Sequence, residues 1–256
     1  MPTSDGHDPG TLCWIDLASS DAAGAAEFYC ELFGWTASAE IEGAGGYRML
    51  LHRGREVAGV APCWGDTDPS IWSTYVASAD ASETCAAALA SGGDVVIDAM
   101  DILTAGRMAV LRDPGGAQIS VWEAGYHHGY EKHGEPGTPL HSELLTADLA
   151  SSSSFYHAVF GWTVEPHQDA AGSGYAVWQR HGEPVAAALE LGEIASAGTP
   201  AHWRVVIGTS DCDATARLCD ALGGRVREAP ADAPPGRRAL LEDPAGAPFA
   251  VVTQRP

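Results

Sequence analysis

The chain has 256 residues, 45% of them hydrophobic and 19% charged, with 34 acidic side chains against 14 basic ones and a formal charge of −20. That composition is globular, with enough length for one large or two modest domains, each burying its own core. A surface this acidic repels phosphate backbones and anionic lipid, which argues against nucleic-acid and membrane partners.

The first predicted element is a strand, where apolar and polar residues alternate through "LCWIDL" from Leu12 to Leu17. Ser19, Ser20 and Asp21 then offer capping side chains for a helix whose apolar face is Ala25, Phe28, Tyr29 and Leu32. Gly34 is placed to end that helix in the left-handed conformation. "YRMLLHRG" and "REVAGVAPCW" read as two strands meeting at Arg53-Gly54. The pattern restarts with the strand "WSTYVASAD", the helix "DASETCAAALASGG" and the strands "DVVIDAMDI", "GRMAVLRDPGG" and "AQISVWE", turning at Asp113-Pro114-Gly115-Gly116.

The same grammar then recurs. "FYCELFGW", Phe28 to Trp35, returns as "FYHAVFGW", Phe155 to Trp162. Around it lie "LHSELLTAD", "SGYAVWQRHG" and "EPVAAALELGE", followed by "HWRVVIGTSD", the helix "CDATARLCDALGG", "GRRALLEDPAG" and "APFAVVTQ". The boundaries predicted are a first domain over 1–125, a linker over 126–138 and a second domain over 139–256. The linker is rich in Gly, Pro and polar residues and carries His127, His128 and His133 with Tyr126 and Tyr130; it reads as solvated and flexible.

A strand, a capped helix reading "FY…FGW", a second helix ending in Gly-Gly and a closing Asp-Pro-x-Gly turn together resemble the vicinal oxygen chelate superfamily. That superfamily holds glyoxalase I, bleomycin-resistance proteins and extradiol dioxygenases. The resemblance covers nearly the whole chain. It implies an α+β fold of tandem glyoxalase-like domains, each of paired βαβββ units whose curved mixed sheets enclose a cavity. It also implies that each cavity draws on both halves, and that metal-dependent members take ligands from four strand positions. Those positions fall on Trp14, near Pro62, near Ser73 and on Ser120 in the first copy, and on His141, Glu190, Arg204 and Ala250 in the second. Only His141 and Glu190 suit an ion there, and Arg204 would repel one. The expectation is therefore no cofactor, with a divalent metal on His141 and Glu190 as the alternative.

Strand alternation puts His141 and Glu143 on one side, an acid/base pair for proton transfer near neutral pH, with Glu190 as a second acid or base. Ser73, Tyr75 and Ser120 are candidate hydrogen-bond donors to a substrate, and Trp122, Tyr175 and Trp178 candidate pocket walls. Trp14, Asp16, His202 and Arg204 form a second candidate set, read either as a salt bridge fixing register or as an anchor for a ligand carboxylate or phenolate. His52, His157, His167 and His181 are expected at element edges facing solvent.

No P-loop, dinucleotide-binding glycine fingerprint or G-x-S-x-G elbow stands in the sequence, which disfavours nucleotide use and serine-hydrolase chemistry. The functional expectation is a metal-independent enzyme of lyase or isomerase type, performing isomerisation, elimination or cyclisation on an apolar or aromatic metabolite, as in secondary metabolism. A protein that sequesters a small molecule and a metal-dependent lyase or dioxygenase are the alternatives. The six cysteines show no C-x-x-C spacing, and no leader or bilayer-length apolar run is present, so a cytoplasmic protein with reduced thiols is expected. It is expected to be a monomer, with a homodimer as the alternative.

Overall fold

The doubled phrase is explained by two buried hydrogen-bonded chains that the fold builds from it. A computed structural model describes residues 6–65, 69–168, 174–191, 200–233 and 236–254. Among these residues there are sixteen strands and four helices, arranged as four βαβββ modules. The first module runs β1 (Leu12–Ser19), α1 (Ala22–Phe33), β2 (Trp35–Ala37), β3 (Arg48–His52) and β4 (Arg55–Pro62). The second runs β5 (Ile71–Ala77), α2 (Ala81–Ala90), β6 (Asp94–Ile102), β7 (Gly106–Arg112) and β8 (Gln118–Ala124). The third is β9 (Pro139–Thr146), α3 (Leu149–Phe160), β10 (Thr163–Gln168), β11 (Gly174–Arg180) and β12 (Glu183–Glu190). The last is β13 (His202–Gly208), α4 (Cys212–Ala221), β14 (Arg225–Ala233), β15 (Gly236–Glu242) and β16 (Pro248–Gln254).

Every module pairs its first strand with its last in parallel and folds the rest as antiparallel neighbours, so the sheets are mixed. The parallel pairing follows from the helix, which carries the chain back over the sheet between the two strands. Each helix begins on an aspartate. Asp21, Asp80, Asp148 and Asp211 all accept from backbone N–H groups of the first turn. Gly34 and Gly161 end α1 and α3 at φ +67° and +72°, the left-handed conformation expected of them. Three strands escaped the sequence reading. β2 has three residues, too few to show a period. β14, "RVREAPADA", is exposed or partly exposed throughout, so no apolar alternation marks it. β10, "TVEPHQ", is short and carries Pro166, a residue that argues against a strand.

Contacts divide the chain into two units. Unit 1 joins Thr74–Gly129 to His141–Trp203, with the N-terminal segment up to Cys13. Its strands run in the orders β5-β8-β7-β6 and β10-β11-β12-β9. Its core packs Ala81, Cys85 and Ala88 of α2 and Phe155, Tyr156 and Phe160 of α3 onto Val76, Ala109, Leu111, Ile119, Val121 and Leu144. Unit 2 joins Trp14–Ser73 to Tyr130–Leu140 and Arg204–Pro256, with orders β2-β3-β4-β1 and β13-β16-β15-β14. Phe28, Tyr29, Leu32 and Phe33 of α1 and Cys212, Ala216 and Cys219 of α4 meet Ile15, Leu17, Val205, Ile207 and Phe249 there. Burying one such large side chain stabilises by about 1.5–3 kcal/mol.

Inside unit 1, Trp203 Nε1 donates to Tyr156 Oη at 2.8 Å, and Tyr156 Oη donates to Asp113 Oδ2 at 3.1 Å. Unit 2 repeats the chain with Trp72 Nε1 on Tyr29 Oη at 2.9 Å and Tyr29 Oη on Asp243 Oδ2 at 3.3 Å. The closing Trp of the phrase is also tied down: Trp162 Nε1 donates to Gly10 O and Trp35 Nε1 to Gly137 O, both at 2.6 Å. Thus the phrase supplies a core tyrosine and an indole donor, while the Asp-Pro turn supplies the acceptor. Burial raises Asp113 and Asp243 above the ordinary carboxyl value, opposed by turn N–H groups and by the tyrosine hydroxyl.

The segment read as a flexible linker is held instead. Trp122 Nε1 donates to His127 O at 2.8 Å, within unit 1. In unit 2, Glu131 Oε2 accepts from Glu56 N at 2.9 Å and Gly137 N donates to Gly208 O at 2.8 Å. Among the described residues no helix is long and apolar enough to cross a membrane. No disulfide joins the six cysteines.

Tyr156→Phe and Tyr29→Phe should each lower unfolding stability by about 1–3 kcal/mol at neutral pH, because an indole N–H loses its acceptor and a buried carboxylate a donor. A raised folded value means that ionised Asp113 and Asp243 cost stability at neutral pH, a cost that fades as pH falls through that value. The Tyr→Phe penalty should therefore shrink on acidification, measurable by denaturant unfolding at pH 7.5 and 5.

Candidate active site

In each unit the helices cover one face of the strands, and the period of two turns every other side chain to the opposite face. On β8, Ile119 and Val121 join the core of unit 1, so Ser120 and Trp122 point away from the helices. Tyr75 stands beside Ser120 in the β5–β8 register and shares that face. On β9, Leu144 joins the core, so His141 and Glu143 turn to the other side. Thr74 Oγ1 donates to Ser142 Oγ at 2.8 Å and ties β5 to β9; one residue further along each strand, Tyr75 and Glu143 turn to the outer face.

The strongest chemistry lies there. His141 Nε2 is 3.4 Å from Glu143 Oε1, with the imidazole 21% exposed and the carboxylate 3% exposed. A ring within reach of solvent thus stands over a carboxylate almost removed from it. The carboxylate can orient the ring through this contact. Tyr75 and Trp122 meet edge to face, with centroids 6.4 Å apart, and His127 lies against Trp122 at 5.7 Å. Tyr75, Ser120 and Trp122 are all buried.

Strand phase sorts the remaining candidates of unit 1. Tyr175 pairs with Leu189 and Val177 with Ala187, and Ala187 pairs with Glu143, so Tyr175 lies on the His141 face, partly exposed. Trp178 is not a pocket wall: it pairs with Ala186, is fully buried among Tyr156, Trp162 and Trp203, and donates to Ser153 Oγ. Glu190 is not a second acid or base beside His141. It pairs with Thr146, in phase with core residues Ala188 and Leu144, and is exposed at the end of β12. Ser73 is partly exposed and belongs to unit 2. His202 belongs to unit 1, its Nδ1 2.9 Å from Pro200 O, whereas Arg204 belongs to unit 2.

The second candidate set lies on the corresponding face of unit 2. Ile15 and Leu17 are core residues, so Trp14 and Asp16 face away, as does Arg204 beside core residue Val205. Trp14 Nε1 donates to Tyr47 Oη at 2.9 Å, and Tyr47 Oη donates to Asp16 Oδ2 at 3.4 Å. Burial, and next the Asp16 carboxylate, push the Tyr47 phenol well above its ordinary value. Gly59 makes room for this chain: a Cβ there would stand 1.8 Å from Tyr47 Oη. Tyr130 lies tilted against Trp14, with ring centroids 5.6 Å apart, and Arg204 is 6% exposed. Sequence reasoning named Trp14, Asp16 and Arg204 but missed Tyr47 and Tyr130. The glycine at 59 within a strand was the available sign of a close approach. Of the histidines expected at the surface, His157 and His181 are exposed and the side chain of His167 lies outside the described residues, but His52 is buried.

Of the ligand positions that the resemblance implies around His141, Glu190 faces the helix side of its strand, Ser120 offers a hydroxyl and Ser73 belongs to unit 2. Among the described residues no three His, Cys, Asp or Glu side chains come together to hold an ion.

Comparison with known proteins bears on the same architecture. Residues 11–121 match the model of the Glyoxalase/Bleomycin resistance protein/Dioxygenase superfamily, and residues 142–252 match that of the Glyoxalase-like domain. The chain is 41% identical to Anthracycline biosynthesis protein DauV from Streptomyces sp. (strain C5), over 96% of this chain and 94% of that one. It is 38% identical to CFP32 of Mycobacterium tuberculosis (strain CDC 1551 / Oshkosh), over 100% of this chain and 99% of the relative. Its fold resembles the Mn(II)-bound glyoxalase from Novosphingobium aromaticivorans, with a TM-score of 0.65 at 14% identity, covering 96% of this chain and 82% of that one. The chain belongs to the glyoxalase/bleomycin-resistance/dioxygenase superfamily, as a member with two glyoxalase-like domains in tandem.

Proposed function

We propose that this chain is an enzyme of secondary metabolism that moves a proton on a polycyclic aromatic metabolite, using His141 and Glu143 and no metal. The observation that carries the reading is the imidazole of His141 set 3.4 Å from the buried Glu143 carboxylate, on the sheet face that the helices leave uncovered. In this reading His141 Nε2 takes a proton from an acidic C–H or phenol of the substrate and returns it elsewhere, which is the proton balance of an isomerisation, elimination or cyclisation. Glu143 stabilises the ring while it carries the proton. Tyr75 and Ser120, buried on β5 and β8, are assigned as donors to the oxygen on which charge develops, and Trp122 and Tyr175 as flat apolar surface. Support for an aromatic, polyketide-like substrate comes from relatives named for anthracycline biosynthesis.

A binding protein that sequesters the same class of molecule is the second reading. It is favoured by the edge-to-face Tyr75–Trp122 pair, which offers an aromatic surface without any titrating group.

Incubation of the protein in D₂O with a fused-ring aromatic ketone bearing an acidic C–H separates the readings. The enzyme reading expects wash-in of deuterium, detected by mass spectrometry, and a loss of about a hundredfold or more in His141→Gln. Binding by calorimetry that His141→Gln leaves unchanged, with no wash-in by either protein, leaves the sequestering protein as the answer. Treatment with a chelator should leave the exchange rate unchanged; loss of exchange that returns with a divalent ion would overturn the metal-free mechanism.

A further inference from the structure

His52 ends β3 in unit 2, paired with Trp35 of β2 and with Arg55 across the hairpin. It is 7% exposed, and neither ring nitrogen has a hydrogen-bond partner among the described residues. Buried imidazoles usually satisfy at least one nitrogen, because an unmet donor loses water without replacement. The ring lies against the chain at Gly137: a Cβ there would stand 2.7 Å from Cε1, 3.1 Å from Nδ1 and 3.3 Å from Nε2. Gly137, at φ +84°, is thus required by both conformation and contact.

Gly137 belongs to Tyr130–Leu140, a strap that packs as part of unit 2. Trp35 Nε1 holds Gly137 O, Gly137 N holds Gly208 O, and Gly208 N returns a bond to Thr138 O at 2.9 Å. At its other end the strap sets Tyr130 on Trp14, with His133 against Tyr130 at 5.6 Å. The same strap therefore touches the buried imidazole and sets Tyr130 against Trp14, the indole of the Trp14–Tyr47–Asp16 chain.

We propose that His52 is an acid-sensitive latch: protonation of its buried, unpartnered ring releases the 130–140 strap and uncovers the Trp14 face of unit 2. This does not rest on the function assigned to His141. A protonated ring would carry two donors and a charge where the packing offers no acceptor. The charged and titratable groups on the elements packed around it are Arg48, Arg53, Arg55 and Glu56 of the hairpin, and Glu131, Lys132, His133 and Glu135 of the strap; β2 presents Trp35. Glu135 is engaged by Lys132 at 2.7 Å, and Glu131 by Arg55 at 3.4 Å and by Glu56 N. Burial first, then Arg53 and Lys132, hold the ring below its ordinary value of 6.5, and Glu135 opposes them. The sign follows. With the closed-state value lowered, the open strap takes up the proton first, so closure is complete above about 6.5 and weakens as pH falls below it.

Amide hydrogen exchange of Gly137 and Gly208 in the full chain, corrected for the intrinsic pH dependence of exchange, reads the strap directly. Between pH 7.5 and 5 the corrected opening constant should rise by up to about tenfold per pH unit below the ordinary histidine value, while far-ultraviolet circular dichroism stays constant. His52→Leu should abolish that rise. His52→Gln, which keeps polarity but cannot titrate, guards against a folding defect in the leucine variant and should also lack it. A rise of equal size in both variants, or no rise in the parent protein, would overturn the proposal. So would a His52 ring that titrates at or above the ordinary value in a proton NMR titration.

Discussion

In each unit a tyrosine hydroxyl stands between an indole N–H and a buried aspartate, and the surrounding packing is arranged to keep it there. A carboxylate taken out of water is tolerated only where donors replace the lost solvent. Asp113 and Asp243 receive theirs from their own turns, Ala117 N and Ala247 N, and from Tyr156 and Tyr29. The tyrosine can donate because its own oxygen accepts from Trp203 or Trp72. Around that chain Phe28 of α1 and Phe155 of α3 pack edge to face on the tyrosine, with ring centroids 5.0 Å and 5.1 Å apart. The helix is therefore oriented by a directional bond as well as by apolar contact, and the face of each sheet away from the helices is left for polar chemistry.

That division of labour explains why the His141 site and the Trp14 site are so different in character. Both occupy the uncovered face of a unit. One presents a partly exposed imidazole over a buried carboxylate, able to exchange protons. The other presents an indole–phenol–carboxylate chain in which burial and the neighbouring carboxylate keep the phenol protonated, and Tyr130 of the strap lies against its indole. Duplication supplied two faces on one plan, and the side chains on them have diverged.

Much of the scaffold was legible in the amino-acid order because it depends on local rules. Aspartate caps, the left-handed glycine at 34 and alternation along β1 are written within a few residues of where they act. The His141–Glu143 pair was legible for the same reason, since two residues on one strand must share a face. Features that depend on phase between strands were not. Glu190 sits one residue out of phase with the face it was assigned to, and Trp178 differs by one residue from a strand neighbour that does face outward. The 126–138 segment misled for a different reason. Its Gly and Pro content is that of a linker, yet those same glycines let it pass close to His52 and Cys13 O. Its fixity comes from partners distant in sequence.

The chained aspartates also set an order of events for a polypeptide emerging from the ribosome. Unit 1 has its turn aspartate at 113, its tyrosine at 156 and its indole at 203, so every member of its chain has been synthesised well before the C-terminus. Tyr29 and Trp72 are made early, yet their acceptor waits until residue 243. Until residue 243 is made, α1 has an aromatic face ready and no aspartate to receive its hydroxyl. Nascent unit 2 thus carries a long-lived unfinished surface, and completing it requires joining chain ends more than two hundred residues apart, the kind of distant closure that slows folding.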